Sequence, residues 1–555
     1  MSKPTPYSDF IQPIPQLSNE FLTDTLLQDY LSTYLPKEML TEITPDLIQF
    51  GERAAGEFRV WARDAEVNKP QLTQFDAFGN RVDEIKVADG WLKLERVAAE
   101  DGLVAIGFER KYGEYSRLYQ FTKLYLYAAS SAVYICPLAM TDGAARLIEL
   151  YGDHELKDKP YKGLTSRIHE KFMTSGQWMT ERTGGSDVSR SMTLASKTGD
   201  DYLLNGHKWF TSAITANMTF TLASTEQPEA GKRAPLSLFY MPIRDEHGKL
   251  NGIKVEALKD KLGTRALPTA QLVLRGAKAK MVGEKGKGVR TISSLFNITR
   301  IYNTISAVSF IRRAYSLSKA YSETREAFGQ KIEQHLLHKK TLREMEIAYQ
   351  SNTILALYLA KLLGKEECNT ATETEKSLLR FLTPIAKLFT AKQAIQYASE
   401  HIETIGGLGY LEDSGIPALL RDAQVLSIWE GTTNVLSLDM LRAAEKEEGL
   451  SAFKTFVNDT LATKHLATNN EQKEIIQEKA NILFSFIDGM NNPSALVAAS
   501  RDIAFYAAEL TIALLWFEFI GQQKEASKYL PALNYWTAYK MDKKMLHSAV
   551  ALNII

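Results

Sequence analysis

The feature that most constrains this chain is a change in the spacing of its apolar residues. From Glu20 to Tyr151 they recur at intervals of three and four, as in Tyr119-Gln-Phe-Thr-Lys-Leu-Tyr-Leu-Tyr127 and Ala144-Ala-Arg-Leu-Ile-Glu-Leu-Tyr151, which is the repeat of helices that bury one face. Between about Phe172 and Val282 the interval falls to two, the repeat of strands. It then returns to the helical value in long runs over Val289–Ala327, Leu336–Leu363 and Ser377–Ile405, lengths that suit a packed bundle. The fold class this predicts is mainly α with an inserted β domain.

Boundaries follow from the same pattern. A helical domain with an N-terminal extension covers 1–170, the β domain 171–283 and a bundle 284–444. After the charge run Glu445-Lys-Glu-Glu-Gly449, residues 445–555 read as an additional helical region with a loop at Asn491-Asn-Pro493. The 555 residues leave room for this many units, since single cores seldom grow past about 250–300 residues. Within the β domain, Asn205-Gly206 marks a hairpin turn between two short strands of Asp201–Ser212. Met218–Ser224, Leu236–Pro242 and Thr269–Leu274 are further strands, and Asp76-Ala-Phe-Gly-Asn-Arg81 is a turn or small insertion in the first helical region.

Charge and cysteine content narrow the function classes. Lys+Arg and Asp+Glu both number 66, so the molecule as a whole offers nothing to nucleic acid or to an anionic membrane, and such binding would need a local patch. Two cysteines, Cys136 and Cys368, exclude a disulfide framework and fit a reducing compartment. Met1-Ser-Lys-Pro-Thr-Pro6 lacks the features of a secretory leader, and Leu552-Asn-Ile-Ile555 is not a peroxisomal tripeptide, so a cytoplasmic location is expected. Ile503–Ile520 is apolar but carries Glu509 and Glu518, which favours a buried helix over a membrane span. His335 and His338 share a helix face without an acidic or cysteine partner nearby, so no metal is assigned.

Four segments carry chemistry. Gln177-Trp-Met-Thr-Glu-Arg-Thr-Gly-Gly-Ser-Asp187 offers close backbone approach at its glycines and hydroxyl donors at Thr180 and Ser186, although an ordinary loop reads the same way. Trp209-Phe-Thr211 can stack on a ring system and hydrogen-bond it, or can simply fill a sheet core. His401-Ile-Glu-Thr-Ile-Gly-Gly-Leu-Gly-Tyr410 ends a helix with glycines that either terminate it or admit a phosphate. About twenty residues on, Ser427-Ile-Trp-Glu-Gly-Thr-Thr-Asn434 places Glu430 beside a tryptophan, in the poorly solvated setting that suits a general base.

Taken in order, Met-Thr-Glu-x-x-Gly-Gly-Ser-Asp, Gly-x-Lys-Trp-Phe-Thr, Arg-x-x-Phe-Gly, Gly-Gly-x-Gly-Tyr and Trp-Glu-Gly-Thr resemble the acyl-CoA dehydrogenase family from about residue 120 to about 440. Cys136-Pro-Leu-Ala-Met-Thr-Asp142, the extended N-terminus and the helical C-terminal extension resemble its AidB branch. The resemblance implies an N-terminal helical domain, a middle β-barrel and a C-terminal helical bundle. It implies FAD as cofactor, an acyl-CoA substrate and a homo-oligomer, with a tetramer expected; the electron acceptor is left open. Glu430 would be the catalytic base, removing the α-proton of the thioester as the β-hydrogen leaves as hydride. Gln177, Met179, Thr180, Gly185, Ser186, Trp209, Phe210 and Thr211 would surround the flavin. Arg325 and Phe328 would reach FAD in a neighbouring subunit, Gly406 and Gly407 would approach its pyrophosphate, and Gly431, Thr432 and Asn434 would bind it beside the base. Thr180, Ser186, Thr211 and Arg300 would touch the substrate. Some family members carry the base at the position of Thr299, and a threonine cannot serve there.

Three positions depart from the family pattern: His335-Leu336 where a Phe-Gln pair is usual, Glu403 in place of a glutamine, and Asn297 in place of an aspartate. They accord with the AidB branch, which is associated with protection of DNA against alkylation and with weak dehydrogenation. The alternative function is therefore a flavoprotein that binds duplex DNA. Residues 444–555 hold 11 basic against 13 acidic side chains, which supplies no basic domain, although Lys540, Lys543 and Lys544 lie close in sequence.

Overall fold

The structure is a computed structural model, and it describes residues 12–227, 234–463, 470–490 and 492–541. The first helical region contains Thr25–Tyr34, Lys37–Ala55, Glu57–Val67, Asp89–Glu100, Ser116–Ala128 and Ile135–Tyr151. Asp24 caps the first of these by accepting from Leu27 N–H. Between the third and fourth, β1 (Gln71–Phe75) and β2 (Arg81–Lys86) form a hairpin. Asp76 closes its turn by accepting from the N–H groups of Phe78 and Asn80, so the insertion at 76–81 is a tight Asx-type turn. The hairpin docks onto the β region: Gln74 and Arg81 donate to Val255 O, and Asp83 accepts from Val255 N–H.

The strands expected between 171 and 283 form a closed sheet. They are β3 (Ser175–Trp178), β4 (Leu194–Thr198), β5 (Asp201–Ser212), β6 (Met218–Ser224), β7 (Leu236–Pro242), β8 (Ile253–Leu258) and β9 (Thr269–Val282). Pairing runs β6–β4–β5–β9–β7, and β7 returns to β6, so the ring closes into a barrel with β3 beside β6 and β8 beside β9.

One local expectation fails here. Asn205-Gly206 is not a turn but the middle of the continuous strand β5, paired on one side with β4 (Asn205 to Leu194) and on the other with β9 (Gly206 to Leu274). A Cβ on Gly206 would lie 2.4 Å from Thr193 Oγ1, so the glycine is needed for close approach of the neighbouring chain rather than for positive φ. The register shifts between Leu204 and Asn205, and Asn205 Oδ1 accepts from Gly276 N–H at this irregularity. The turn itself lies earlier, at Gly199, whose φ is +60°.

Beyond the barrel come three long helices, Ser293–Ser322, Leu336–Glu367 and Glu373–Ile405, followed by Ile416–Leu426 and Thr433–Lys446. The run expected to be helical from Val289 to Ala327 begins as expected, in the short helix Gly288–Thr291 that a turn at Ile292 separates from Ser293–Ser322, and is shorter at its C-terminal end. It stops at Ser322 because Glu326–Ala327 and Gln330–Lys331 pair as a minimal hairpin, with Phe328 and Gly329 at φ +52° and +82°. The third long helix opens with a reciprocal capping box between Thr372 and Glu375.

The C-terminal region adds Gly449–Ala462, Asn470–Asp488, Pro493–Gly521 and Leu530–Tyr535. The apolar stretch from Ile503 to Ile520 lies in Pro493–Gly521, which is long and apolar enough to cross a membrane but is here packed almost wholly inside the protein, with Trp516 donating to Ser351 Oγ. Of the three lysines singled out there, Lys543 and Lys544 lie outside the described residues, and Lys540 acts electrostatically on the buried Glu509.

Candidate active site

The site forms where the barrel meets the bundle. Glu430 sits on the short connection between Ile416–Leu426 and Thr433–Lys446 and is only half-buried. Its backbone is in the left-handed region, at φ +55°, and Gly431 follows at +104°. A non-glycine residue in that region costs of the order of 1–3 kcal/mol and persists where the surroundings impose it. Those surroundings are visible on every side. Thr299 Oγ1, from the first long helix, donates to Glu430 Oε2 at 2.7 Å, and Gln177 Nε2, from β3, approaches Oε1 at 3.4 Å. Arg300 Nε donates to the carbonyl of Glu430 at 3.3 Å, and Lys387 Nζ donates to the carbonyl of Gly431 at 2.7 Å. The preceding Trp429 donates its indole N–H to Asn303 Oδ1, while Asn303 Nδ2 donates to Leu426 O.

Thr299, at the position considered for a base in the family resemblance, hydrogen-bonds the Glu430 carboxylate. Arg300, expected to touch substrate, is bound to the Glu430 carbonyl and to Asp439, which it meets at 2.6 Å; Asp439 is held from its other side by Arg380 at 2.7 Å. Both guanidinium groups hold the Asp439 carboxyl below its usual range, against the opposing effect of burial.

The Gln177–Asp187 segment is anchored by a pair that the sequence reading did not single out. Glu181, 5% exposed, accepts from Ser191 Oγ, Met192 N–H, Thr193 N–H and Thr193 Oγ1, and from Lys208 Nζ at 2.9 Å. Lys208, 1% exposed, also donates to Leu222 O. Trp209 N–H donates to Thr180 O, tying the same segment to β5. Ser186 and Gly185 are exposed and Thr180 is half-buried, whereas Met179 is buried in the apolar cluster that contains Met218 and Leu295. Thr211 is buried with its hydroxyl donating to Ala270 O, Phe210 is exposed, and the ring of Trp209 lies against Lys259 Nζ at 3.1 Å and Arg182 at 5.0 Å.

The remaining expected residues fall into two places. Thr432 caps the N-terminus of Thr433–Lys446, and Asn434 in its first turn accepts from Arg501, a residue of the additional C-terminal helical region. Arg325, Phe328, Gly406 and Gly407 lie at the other end of the bundle. Thr299 is near the start of Ser293–Ser322 and Arg325 follows its end, so at 1.5 Å per residue they are about 35 Å apart. Arg325 contacts Gln12, Phe328 is 97% exposed, and a Cβ on Gly406 or Gly407 would meet nothing within 4 Å. Within one protomer these groups do not meet Glu430.

Other ionisable groups line the same region. Burial pushes the Lys387 ammonium down to about 7, with Glu430 opposing the shift and Arg300 and Lys392 adding to it. Burial likewise pushes Lys261 down to about 8 and the Cys136 thiol up to about 12. Lys387 was legible only as a lone lysine within the apolar run Thr383-Pro-Ile-Ala-Lys-Leu-Phe-Thr390. Lys208 was legible only as a member of the Gly-x-Lys-Trp-Phe-Thr motif, without its partner, and Asn303, Asp439 and Arg501 had no signal, because their partners are distant in sequence.

Comparison with known proteins agrees with this architecture. Residues 12–171 match the family described as the adaptive response protein AidB N-terminal domain, 176–277 the acyl-CoA dehydrogenase middle domain, and 286–445 the acyl-CoA dehydrogenase C-terminal domain. The chain is 43% identical over 481 residues to acyl-CoA dehydrogenase family member 11 of Caenorhabditis elegans, covering 85% of this chain and 77% of that protein. It is 30% identical to the AidB protein of Escherichia coli (strain K12), covering 80% and 81% respectively. The crystal structure of Caenorhabditis elegans ACDH-11 in complex with C11-CoA superposes with a TM-score of 0.91 at 38% identity, over 96% of this chain and 92% of that one. With the barrel between two helical regions and with these matches along most of its length, the chain belongs to the acyl-CoA dehydrogenase family.

Proposed function

We propose that the protein is an FAD-dependent acyl-CoA dehydrogenase in which Glu430 is the base. The observation that carries this reading is the Glu430 carboxylate itself, held by Thr299 at 2.7 Å on a positive-φ turn at the junction of barrel and bundle. The residues present fit a flavin. Gln177 Oε1 is buried without a hydrogen-bond partner in the protein, and Phe210 and part of Trp209 present ring surface beside the Thr180–Ser186 segment. Gln177, Thr180, Ser186 and Trp209 would hold the ring system, whereas Thr211, fully buried with its hydroxyl on Ala270 O, is not exposed to it, and Thr432 and Asn434 would bind the cofactor beside the base. FAD, when bound, supplies the acceptor for the hydride from the β-carbon.

The chain's own residues supply the rest. Glu430 removes the α-proton of the thioester, and its backbone N–H would donate to the thioester oxygen as negative charge develops there. Thr299 and Gln177 fix the direction of the carboxylate. An acyl-CoA substrate accords with the relative that carries C11-CoA. Because Arg325, Gly406 and Gly407 stand at the far end of the bundle, about 30 Å from Glu430, they would serve the cofactor of a second copy of the chain. The exposed apolar side chains around them, Phe328 at 97%, Leu336 at 84% and Tyr410 at 81%, support such a homo-oligomer.

The test is anaerobic bleaching of the bound flavin by acyl-CoA thioesters of graded chain length. Bleaching by at least one thioester, lowered by at least about a thousandfold in rate in Glu430→Gln, is the expected result, since the variant retains the shape but not the base. Failure of every thioester to bleach the wild-type protein would sink the reading, and DNA binding measured alongside would then favour the alternative.

A further inference from the structure

Two consecutive carbonyl groups of the base turn face cations. Glu430 O accepts from Arg300, which Asp439 also binds, and Gly431 O accepts from Lys387 at 2.7 Å. The Lys387 side chain is 0% exposed and lies on Glu373–Ile405 between buried neighbours on either side, Ala386 and Leu388. Among the described residues it has no carboxylate within ion-pair distance, and Gly431 O is its only hydrogen-bond acceptor. An ammonium group buried without a carboxylate is costly, and a methionine or leucine would fill the same space at no such cost. The energy is spent on one contact, and that contact is with the turn that carries the base. Gly431 cannot easily be replaced by a stiffer residue that would fix the turn unaided: its φ is +104°, and an added Cβ would lie 3.0 Å from Leu436 Cδ2. The constraint has to come from outside the turn.

We infer that Lys387 is a positioning residue for Glu430, acting with Arg300 as a two-point clamp that locks the Glu430–Gly431 turn and aims the carboxylate into the site. The inference rests on the reading of Glu430 as the base. It has a consequence for pH, because burial brings the ammonium of Lys387 down to about 7. The charged groups acting on it are Glu430 from the turn, which favours the protonated form, and Arg300 from Ser293–Ser322 and Lys392 from its own helix, which oppose it; Asp439 on Thr433–Lys446 is committed to Arg300 and Arg380. As pH rises through this value the donor weakens, the clamp loosens and proton removal slows.

The test uses the full-length FAD-loaded protein with Lys387→Met, which keeps the volume and removes the donor, and Lys387→Gln, which keeps a neutral donor. In Lys387→Met, amide exchange in residues 427–434 should quicken by about tenfold or more while the barrel stays unchanged. Its single-turnover rate of flavin reduction should fall by about tenfold to a hundredfold, with half-saturation moving less than about threefold. Lys387→Gln should recover part of the rate, and both should lack the alkaline limb expected of the wild type above about pH 7. Unchanged exchange at 427–434 would overturn the clamp, as would a loss confined to half-saturation. If neither variant accumulates folded, a wild-type reduction rate that is flat between about pH 7 and 9 overturns it and an alkaline limb supports it. A wild type that no thioester bleaches fails the dehydrogenase reading instead, and the exchange measurement still decides the clamp.

Discussion

Replacing Lys208 by methionine tests how the segment facing the proposed cofactor site is held. The substitution keeps the aliphatic stem in the barrel and removes an ammonium that donates to Glu181 at 2.9 Å and to Leu222 O at 3.1 Å. Removing one partner of a buried ion pair costs about 3–5 kcal/mol, mainly because the other charge stays behind. Here Glu181 keeps four donors from Ser191, Met192 and Thr193, which places the cost near the lower end, at about 3 kcal/mol. The Glu181→Gln, Lys208→Met double variant has no charge left to strand and should lose less, about 1–2 kcal/mol. Native-state hydrogen exchange over residues 179–193 and β5 reads this directly, as a loss of protection of about a hundredfold in the single variant and about tenfold in the double. Lowered Glu181 titration gives a second readout: the stability it contributes is present above its unfolded value and fades as pH falls through the folded one, and the Lys208→Met variant should show less of that fading. A double variant as unstable as the single one, or a single variant with unaltered protection, would refute the reasoning.

Two further outcomes concern buried charge elsewhere. Arg117 is 1% exposed and forks onto Glu367 at 2.6 and 2.8 Å while also meeting Asp142 at 2.6 Å, so Arg117→Met should destabilise by about 3–5 kcal/mol, read as a fall in melting temperature. Arg117→Lys should not restore it, because one ammonium cannot reproduce the fork, and full restoration would contradict the geometry. Glu509, in the core of Pro493–Gly521, has one carboxylate oxygen without a partner, and burial pushes its carboxyl up to about 8, with Lys540 opposing. Its folded value lies above its unfolded one, so stability falls as pH climbs from about 4.5 to about 8. Glu509→Gln should remove that decline and melt higher than the wild type at pH about 8 but not near pH about 4, and parallel melting curves across the range would count against it.

The sequence by itself determined the order of layers and the family to which the chain belongs. A period of two between helical periods is a local property of neighbouring side chains, and it placed the barrel between the helical regions. Met218–Ser224 and Leu236–Pro242 emerged as strands with those ends, because alternation and flanking turn residues are written within each segment. Glu430 could be put forward as a candidate from the sequence, since its Trp and Gly neighbours lie beside it in the chain. What needed a partner from far away was not legible. The turn preference of Asn205-Gly206 yielded to pairing with β4 and β9 on both sides, which no local signal reports. Lys387 could be seen only as a misplaced charge in an apolar run until the bundle brought Gly431 O to it across 44 residues of sequence. The separation of Arg325 and Gly406 from Glu430 likewise follows from the rigid length of the helices between them, a distance that motifs set side by side in a sequence conceal. Tertiary structure decided how Glu430 is aimed, because the groups that aim it, Thr299, Arg300 and Lys387, are joined to it only through packing.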